Sequence, residues 1–176
     1  VKLDLGVVLG ILAQATSRIG LGATYSTTYY APFHVARTFA SLDHLSGGRL
    51  NVGIGSGSVE QEHREAGIPW RSFAERSEIL EETLEIVTRM WRDAEATYEG
   101  TYLSVDGAPC EPKPLQDPHP PIWIGGGGEQ VTLRIVARLA DYSNFGGKPD
   151  EWSHKRDVLA GHCDAVVTGG VDRNMG

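Results

Sequence analysis

Where the glycines fall constrains this chain more than any other feature. Twenty-two of its 176 residues are glycine, about one in eight where ~7% is usual. They concentrate in and after short runs of strand character: Arg18–Thr24, Arg49–Gly55, Pro121–Ile124 and Asp141–Phe145. Helical patterns separate these runs. Leu3–Ala15 places Leu5, Val8, Leu9 and Leu12 on one face, and Pro32 opens a helix carrying Val35, Ala36, Phe39, Ala40 and Leu45. Ser72 with Glu75 has the form of a capping box. The stripe that follows it, Leu80, Leu84, Val87 and Trp91, leaves Glu78, Glu81, Glu82 and Glu85 toward water. Leu133, Val136, Ala137 and Ala140 share a helix face, and Pro149–Asp164 predicts a last amphipathic helix.

Strands alternating with helices imply βα units and a parallel sheet. Between Val59 and Arg71 the sequence reads as a long polar loop, and residues 97–120 as a hairpin with a proline-rich connection. Four βα units leave two architectures, a doubly wound sheet and a (β/α) barrel, and both bind ligands at the carboxyl ends of the strands. Those ends here are Ala23-Thr24-Tyr25, Gly55-Ser56-Gly57-Ser58, Gly125 to Gly128 and Asn144-Phe145. Small residues there let a flat or phosphorylated ligand approach the backbone. Four glycines in a row before a helix favour an anion, through free N–H groups and the positive helix end.

Composition removes several classes of function. Sixteen basic against 23 acidic side chains give −7 at neutral pH, without the clustered Lys/Arg footprint of a nucleic-acid binder. No apolar run approaches the ~20 residues that span a bilayer, so no membrane partner is expected. Cys110 and Cys163 form no metal spacing and no disulfide framework, which points to a reducing cytoplasm. No Walker-type lysine follows the glycine-rich segments, against an NTPase. No Ser-His-Asp order or Cys/His nucleophile pattern emerges, and no catalytic residue is assigned.

Several blocks in order resemble the luciferase-like monooxygenase superfamily, and within it the actinobacterial F420-dependent oxidoreductases. They are Arg18-Ile-Gly-Leu-Gly, Leu45-Ser-Gly-Gly-Arg-Leu50, Gly53-Ile-Gly-Ser-Gly57, Pro112-Lys-Pro114 and His119-Pro-Pro-Ile-Trp-Ile-Gly-Gly-Gly-Gly128. The resemblance runs from Leu3 to about Cys163. It implies a TIM (β/α)8 barrel binding coenzyme F420, or alternatively FMN, at the carboxyl ends of its strands. A complete barrel takes about 250 residues, so the chain is expected to form a single partial domain over residues 1–176, holding only the central βα units. Apolar strand edges and faces left open by an incomplete barrel would favour a homo-oligomer.

By position, the resemblance places a non-prolyl cis peptide between Thr24 and Tyr25, pressing on the cofactor ring. It places Ser56, Gly57 and Ser58 on the ribityl and phosphate portion, and Gly125, Gly126, Gly127 and Gly128 on the phosphate side, at a helix beginning near Glu129. A glutamate that acts as an acid in some F420 enzymes is replaced here by Ser58, so that role does not carry over. The implied activity is hydride transfer between the deazaflavin and a small organic substrate. The alternatives are an FMN-dependent monooxygenase fed by a partner reductase, and a non-catalytic flavin-binding or dimerisation module.

Of six histidines, His44, His154 and His162 read as helix surface or packing residues, and His119 as a turn residue. His34 and His63 lie near the cofactor-side loops without a decisive signal. Tyr29 and Tyr30 suit either a ring pocket or aromatic packing.

Overall fold

The computed structural model describes residues 3–168. In chain order the elements are α1 (Leu5–Ala15), β1 (Leu21–Ser26), α2 (Pro32–Ser46), β2 (Leu50–Gly55), α3 (Glu60–Glu65) and α4 (Phe73–Arg92). Then come β3 (Ala96–Glu99), β4 (Ser104–Ala108), β5 (Ile122–Gly125), α5 (Thr132–Leu139), β6 (Tyr142–Asn144) and α6 (Pro149–Thr168). The expected polar loop after β2 holds the short helix α3.

β1, β2, β5 and β6 form one sheet in that order, every pair parallel. The hairpin β3–β4 stands apart as a second, two-stranded sheet. Residues alternate strictly across the main sheet. Leu21 and Tyr25, Leu50, Val52 and Ile54, and Ile122 and Ile124 are buried. The other face carries Gly22, Thr24, Asn51, Gly53, Trp123 and Asn144. A single helix layer lies over the buried face, with α1 on α2, α2 on α4, α4 on α5 and α5 on α6. A doubly wound sheet would carry helices on both faces and reverse its strand order. Strands in sequence order with one helix layer are the arrangement of a barrel wall.

The core between the layers is closed by Phe39, Leu84, Ile86 and Met90 from the helices. Each such side chain contributes about 1.5–3 kcal/mol on burial. Trp91 donates its indole N–H to the Ala36 carbonyl at 3.0 Å, fixing α4 on α2. The capping box is present: Glu75 N–H donates to Ser72 Oγ at 3.2 Å, and Ser72 N–H to Glu75 Oε2 at 2.9 Å. The Ser72 hydroxyl also donates to Glu75 Oε2 at 2.8 Å, and this bond first, with that from Ser72 N–H, favours the ionised carboxylate and holds the Glu75 carboxyl below its usual range. A second carboxylate ties a connection to a helix. Buried Asp43 accepts from Leu115 N–H, Gln116 N–H and Gln116 Nε2, holding the proline-rich segment to α2.

Three expectations need correction. Glu82 does not face water: it is buried and accepts the N–H groups of Thr101, Tyr102 and Leu103 in the β3–β4 turn. The open face of the sheet is mixed rather than wholly apolar: glycine, Thr24, Asn51 and Asn144 surround one aromatic pair, Trp123 on Tyr142. The Thr24–Tyr25 peptide is trans; the cis peptides among the described residues precede Pro112 and Pro118. β1 stays in register with β2 through Tyr25↔Ile54 and Ser26↔Gly55. An unbroken ladder gives nothing to offset the 3–4 kcal/mol or so that a non-prolyl cis bond costs.

Candidate functional site

Parallel register brings the four strand ends to one edge. Ser26 lies beside Gly55, and Gly125 beside Asn144, while Ile54 pairs with Ile124 one residue before β2 and β5 end. With strands about 4.8 Å apart, these ends form a continuous rim. Below the rim, the open face shapes a cleft of about 420 Å3 lined by Gly22, Thr24, Asn51, Gly53, Trp123 and Asn144, among others. That volume lies within the ordinary range for small-molecule sites. Trp123 stacks on Tyr142 with ring centroids 4.3 Å apart and donates its indole N–H to Asn51 Oδ1 at 3.1 Å. Among the described residues, no helix is long and apolar enough to cross a membrane.

The residues singled out from the sequence divide at this rim. Thr24 lines the cleft. Tyr25 turns the other way, 3% exposed, its ring packed on Tyr30 and Phe39 at 4.7 and 4.8 Å. Burial, with Asp4 and Tyr30 nearby, pushes its phenol pKa up to about 12. Ser56, Gly57 and Ser58 follow β2 directly, and Gly125 to Gly128 run from the end of β5 into the turn before α5. Gly126 N–H is already bonded to the Asn144 carbonyl at 3.0 Å, joining the ends of β5 and β6. α5 begins at Thr132 rather than near Glu129, with Val131 at its N-cap and no side chain closing that end.

Sequence reasoning missed Lys155. From α6 its ammonium crosses the glycine segment, Nζ standing 2.6 Å from where a Cβ on Gly127 would be. The turn is also tied to α6 through Glu129, whose carbonyl bonds His162 Nε2 at 2.9 Å and whose carboxylate lies 3.3 Å from His154 Nε2. A positive side chain, a helix N-terminus and a run of glycines thus converge on one corner of the rim. No periodicity in α6 would have marked Lys155, because its neighbour lies far away in sequence.

The histidines also separate. His63 is fully buried, with Thr28 Oγ1 at 2.8 Å from Nε2 and the Val59 carbonyl at 2.8 Å from Nδ1. Its ring also meets Tyr29 and Trp70. His34 stacks on Tyr30 and lines an outer groove between α1 and α2, with Arg37 and Phe33. His44 bonds the Lys113 carbonyl at 2.7 Å, and His119 the Pro120 carbonyl at 3.0 Å.

A family model for luciferase-like monooxygenases matches residues 3–160. The chain belongs to the luciferase-like monooxygenase family. An F420-dependent glucose-6-phosphate dehydrogenase of Microbacterium testaceum is 36% identical over 146 residues, 81% of this chain and 42% of that protein. An FMNH2-dependent dimethylsulfone monooxygenase of Pseudomonas putida is 29% identical over 131 residues, 74% of this chain and 36% of that protein. In fold, a coenzyme F420-dependent tetrahydromethanopterin reductase from Methanopyrus kandleri superposes with a TM-score of 0.84 over 94% of this chain and 51% of its own, at 21% identity. This luciferase-like chain therefore carries part of a TIM barrel, and it spans less than half the length of the two curated relatives named here. Of these two relatives, one is F420-dependent and the other FMNH2-dependent.

Proposed function

We propose that the chain contributes the cofactor rim of an F420-dependent oxidoreductase, which passes a hydride between the deazaflavin and a small organic substrate. The observation that carries this reading is the convergence of Gly125–Gly128, the uncapped start of α5 and Lys155 at the carboxyl edge of a parallel sheet. The residues suit the phosphate end of such a cofactor. With Gly126 N–H committed to Asn144, an anion here would draw on the amides of Gly127 and Gly128, and Lys155 adds its charge. Ser56 and Gly57 flank the same rim, and Thr24 supplies a hydroxyl from its inner side. Ser58 stands at the end of this row, exposed, with an orienting role and no acid–base chemistry.

When bound, the deazaflavin supplies the two-electron chemistry; the protein binds it, orients it and excludes water. The aromatic pair Trp123 and Tyr142 offers the cleft a flat apolar floor.

A second reading is an FMN-dependent monooxygenase fed by a partner reductase. The likeness to an FMNH2-dependent enzyme supports it, since the same rim suits either phosphate. Titrations of the purified chain with F420 and with FMN, followed by absorbance and fluorescence, separate the two. Tight binding of neither supports a non-catalytic module instead. Self-association is part of the proposal on a revised basis. Val7 and Ile11 of α1 and Phe33 and Leu45 of α2 are exposed apolar residues on the helix layer, and sedimentation giving only monomer would count against it.

A further inference from the structure

The hydroxyl of Ser26 heads a hydrogen-bond chain whose direction can be read from its far end. Ser26 Oγ and Thr28 Oγ1 are 2.6 Å apart, Thr28 Oγ1 and His63 Nε2 2.8 Å, and His63 Nδ1 and the Val59 carbonyl oxygen 2.8 Å. A carbonyl only accepts, so Nδ1 carries the ring proton. The Tyr29 hydroxyl, 3.1 Å from Nδ1, shares that N–H as a second acceptor. The partners of the ring are uncharged, and in the neutral imidazole Nε2 then only accepts. Thr28 therefore donates to His63. Having given its single proton inward, Thr28 accepts from Ser26. The Ser26 proton is committed in its turn, and its oxygen offers lone pairs alone.

Ser26 ends β1 on the strand face that also carries Gly22 and Thr24, both of which line the cleft, and it is half-buried at the rim beside Gly55. The loop after β2 is shaped around this chain. Gly57 has φ +78°, and a Cβ there would stand 2.9 Å from Ser26 Oγ and 3.1 Å from both Thr28 Oγ1 and His63 Cε1. Glycine at this position answers two demands, left-handed backbone and room for the three side chains.

We propose that Ser26 is a binding residue that acts only as an acceptor, recognising an O–H or N–H group of the ligand at the rim, with Thr28 and His63 as positioning residues. This assignment rests on the reading of that rim as the cofactor site. F420 and FMN both carry such donors, in their side-chain hydroxyls and ring N–H.

The test has two arms on the full chain. At about pH 7.5, long-range 1H–15N correlation should show His63 protonated on Nδ1 and bare on Nε2. In titrations with F420 and FMN, Ser26→Ala and Thr28→Val should each weaken whichever cofactor binds by about threefold to tenfold, the worth of one hydrogen bond. Thr28→Ser, which keeps the hydroxyl, should restore affinity. A proton on Nε2 overturns the proposal. So does unchanged affinity in Thr28→Val, or a Thr28→Ser variant that binds no better than Thr28→Val. Bound cofactor with indifferent variants defeats this assignment alone, whereas no binding by the unchanged chain defeats the reading of the rim and this assignment with it.

Discussion

The carboxylate of Glu82 occupies the space a side chain on Gly100 would need: a Cβ there would lie 2.5–2.6 Å from the carboxyl carbon and both oxygens. From that position the carboxylate collects the amides of Thr101 at 2.6 Å, Leu103 at 2.8 Å and Tyr102 at 3.0 Å. The acidic residue and the glycine, on α4 and in the hairpin turn, form one structural unit. Gly100→Ala must push the carboxylate off its amides and leave them part-buried and unpaired. We expect a loss of about 2–3 kcal/mol, read as a lower denaturant midpoint. Glu82→Gln keeps the shape but turns one acceptor into a donor against N–H groups, for a loss of about 1–2 kcal/mol. A Gly100→Ala protein of unchanged midpoint would refute the coupling.

Arg49 closes the end of α1 from a distance. Its guanidinium donates to the carbonyls of Ala13 at 3.0 Å, Thr16 at 2.9 Å and Ile19 at 2.7 Å, and its Nε to Ser46 at 2.6 Å. Those carbonyls include ones that a helix end leaves without partners. A lysine ammonium has the charge but not the planar fork. Arg49→Lys should therefore cost nearly as much as Arg49→Ala, about 2 kcal/mol, with α1 amides exchanging faster with solvent. If Arg49→Lys is as stable as the unchanged chain, charge rather than geometry holds the helix.

How much was legible in the sequence follows from the range of the interactions concerned. β2 and β5 were, because alternating Leu50, Val52, Ile54 and Ile122, Ile124 state a buried face within a few residues. The Ser72–Glu75 box is local as well. The start of β1 was misjudged: Arg49 holds the Ile19 carbonyl in the preceding turn, a contact invisible in the run Arg18–Thr24. Glu82 read as a solvent-facing acid because its partners lie nineteen or more positions on, in a turn. The glycine-rich rim was legible as a candidate site. What surrounds it was not: Lys155 reaches Gly127 across α5, and His63 reaches Thr28 over 35 positions.

Tyr25 gives the molecule an alkaline limit. Its phenol titrates near 10 in an unfolded chain but is pushed up to about 12 in the fold, by burial first and by Asp4 and Tyr30 after it. Below pH 10 both states hold the proton. Between pH 10 and 12 the unfolded chain releases it while the native state keeps it, so stability falls as pH rises. Compared with Tyr25→Phe, the unchanged chain should lose about 1 kcal/mol more between pH 9 and 11, allowing for solvent screening. Urea midpoints at the two pH values give that difference directly. An equal loss in both proteins would mean that Tyr25 ionises freely.

The phosphate corner is tested most cleanly through Lys155. Gly126→Val is a poor probe, since φ there is +117°, a Cβ would stand 3.3 Å from Thr132 Cγ2, and the residue's N–H ties β5 to β6. Strain alone would then weaken binding. Lys155→Gln leaves the backbone untouched, retains most of the stem over Gly127 and removes one charge. If the ammonium faces the phosphate, FMN or F420 should bind about threefold to tenfold more weakly, a partly screened ion pair's worth. Raising the salt should narrow that gap, because screening acts on the same charge. Riboflavin, which shares the ring and ribityl chain of FMN but has no phosphate, supplies the control. Its affinity should be the same for both proteins. An equal drop for riboflavin would place Lys155 in the packing of the glycine turn, and an unchanged affinity for FMN and F420 would remove it from the site altogether.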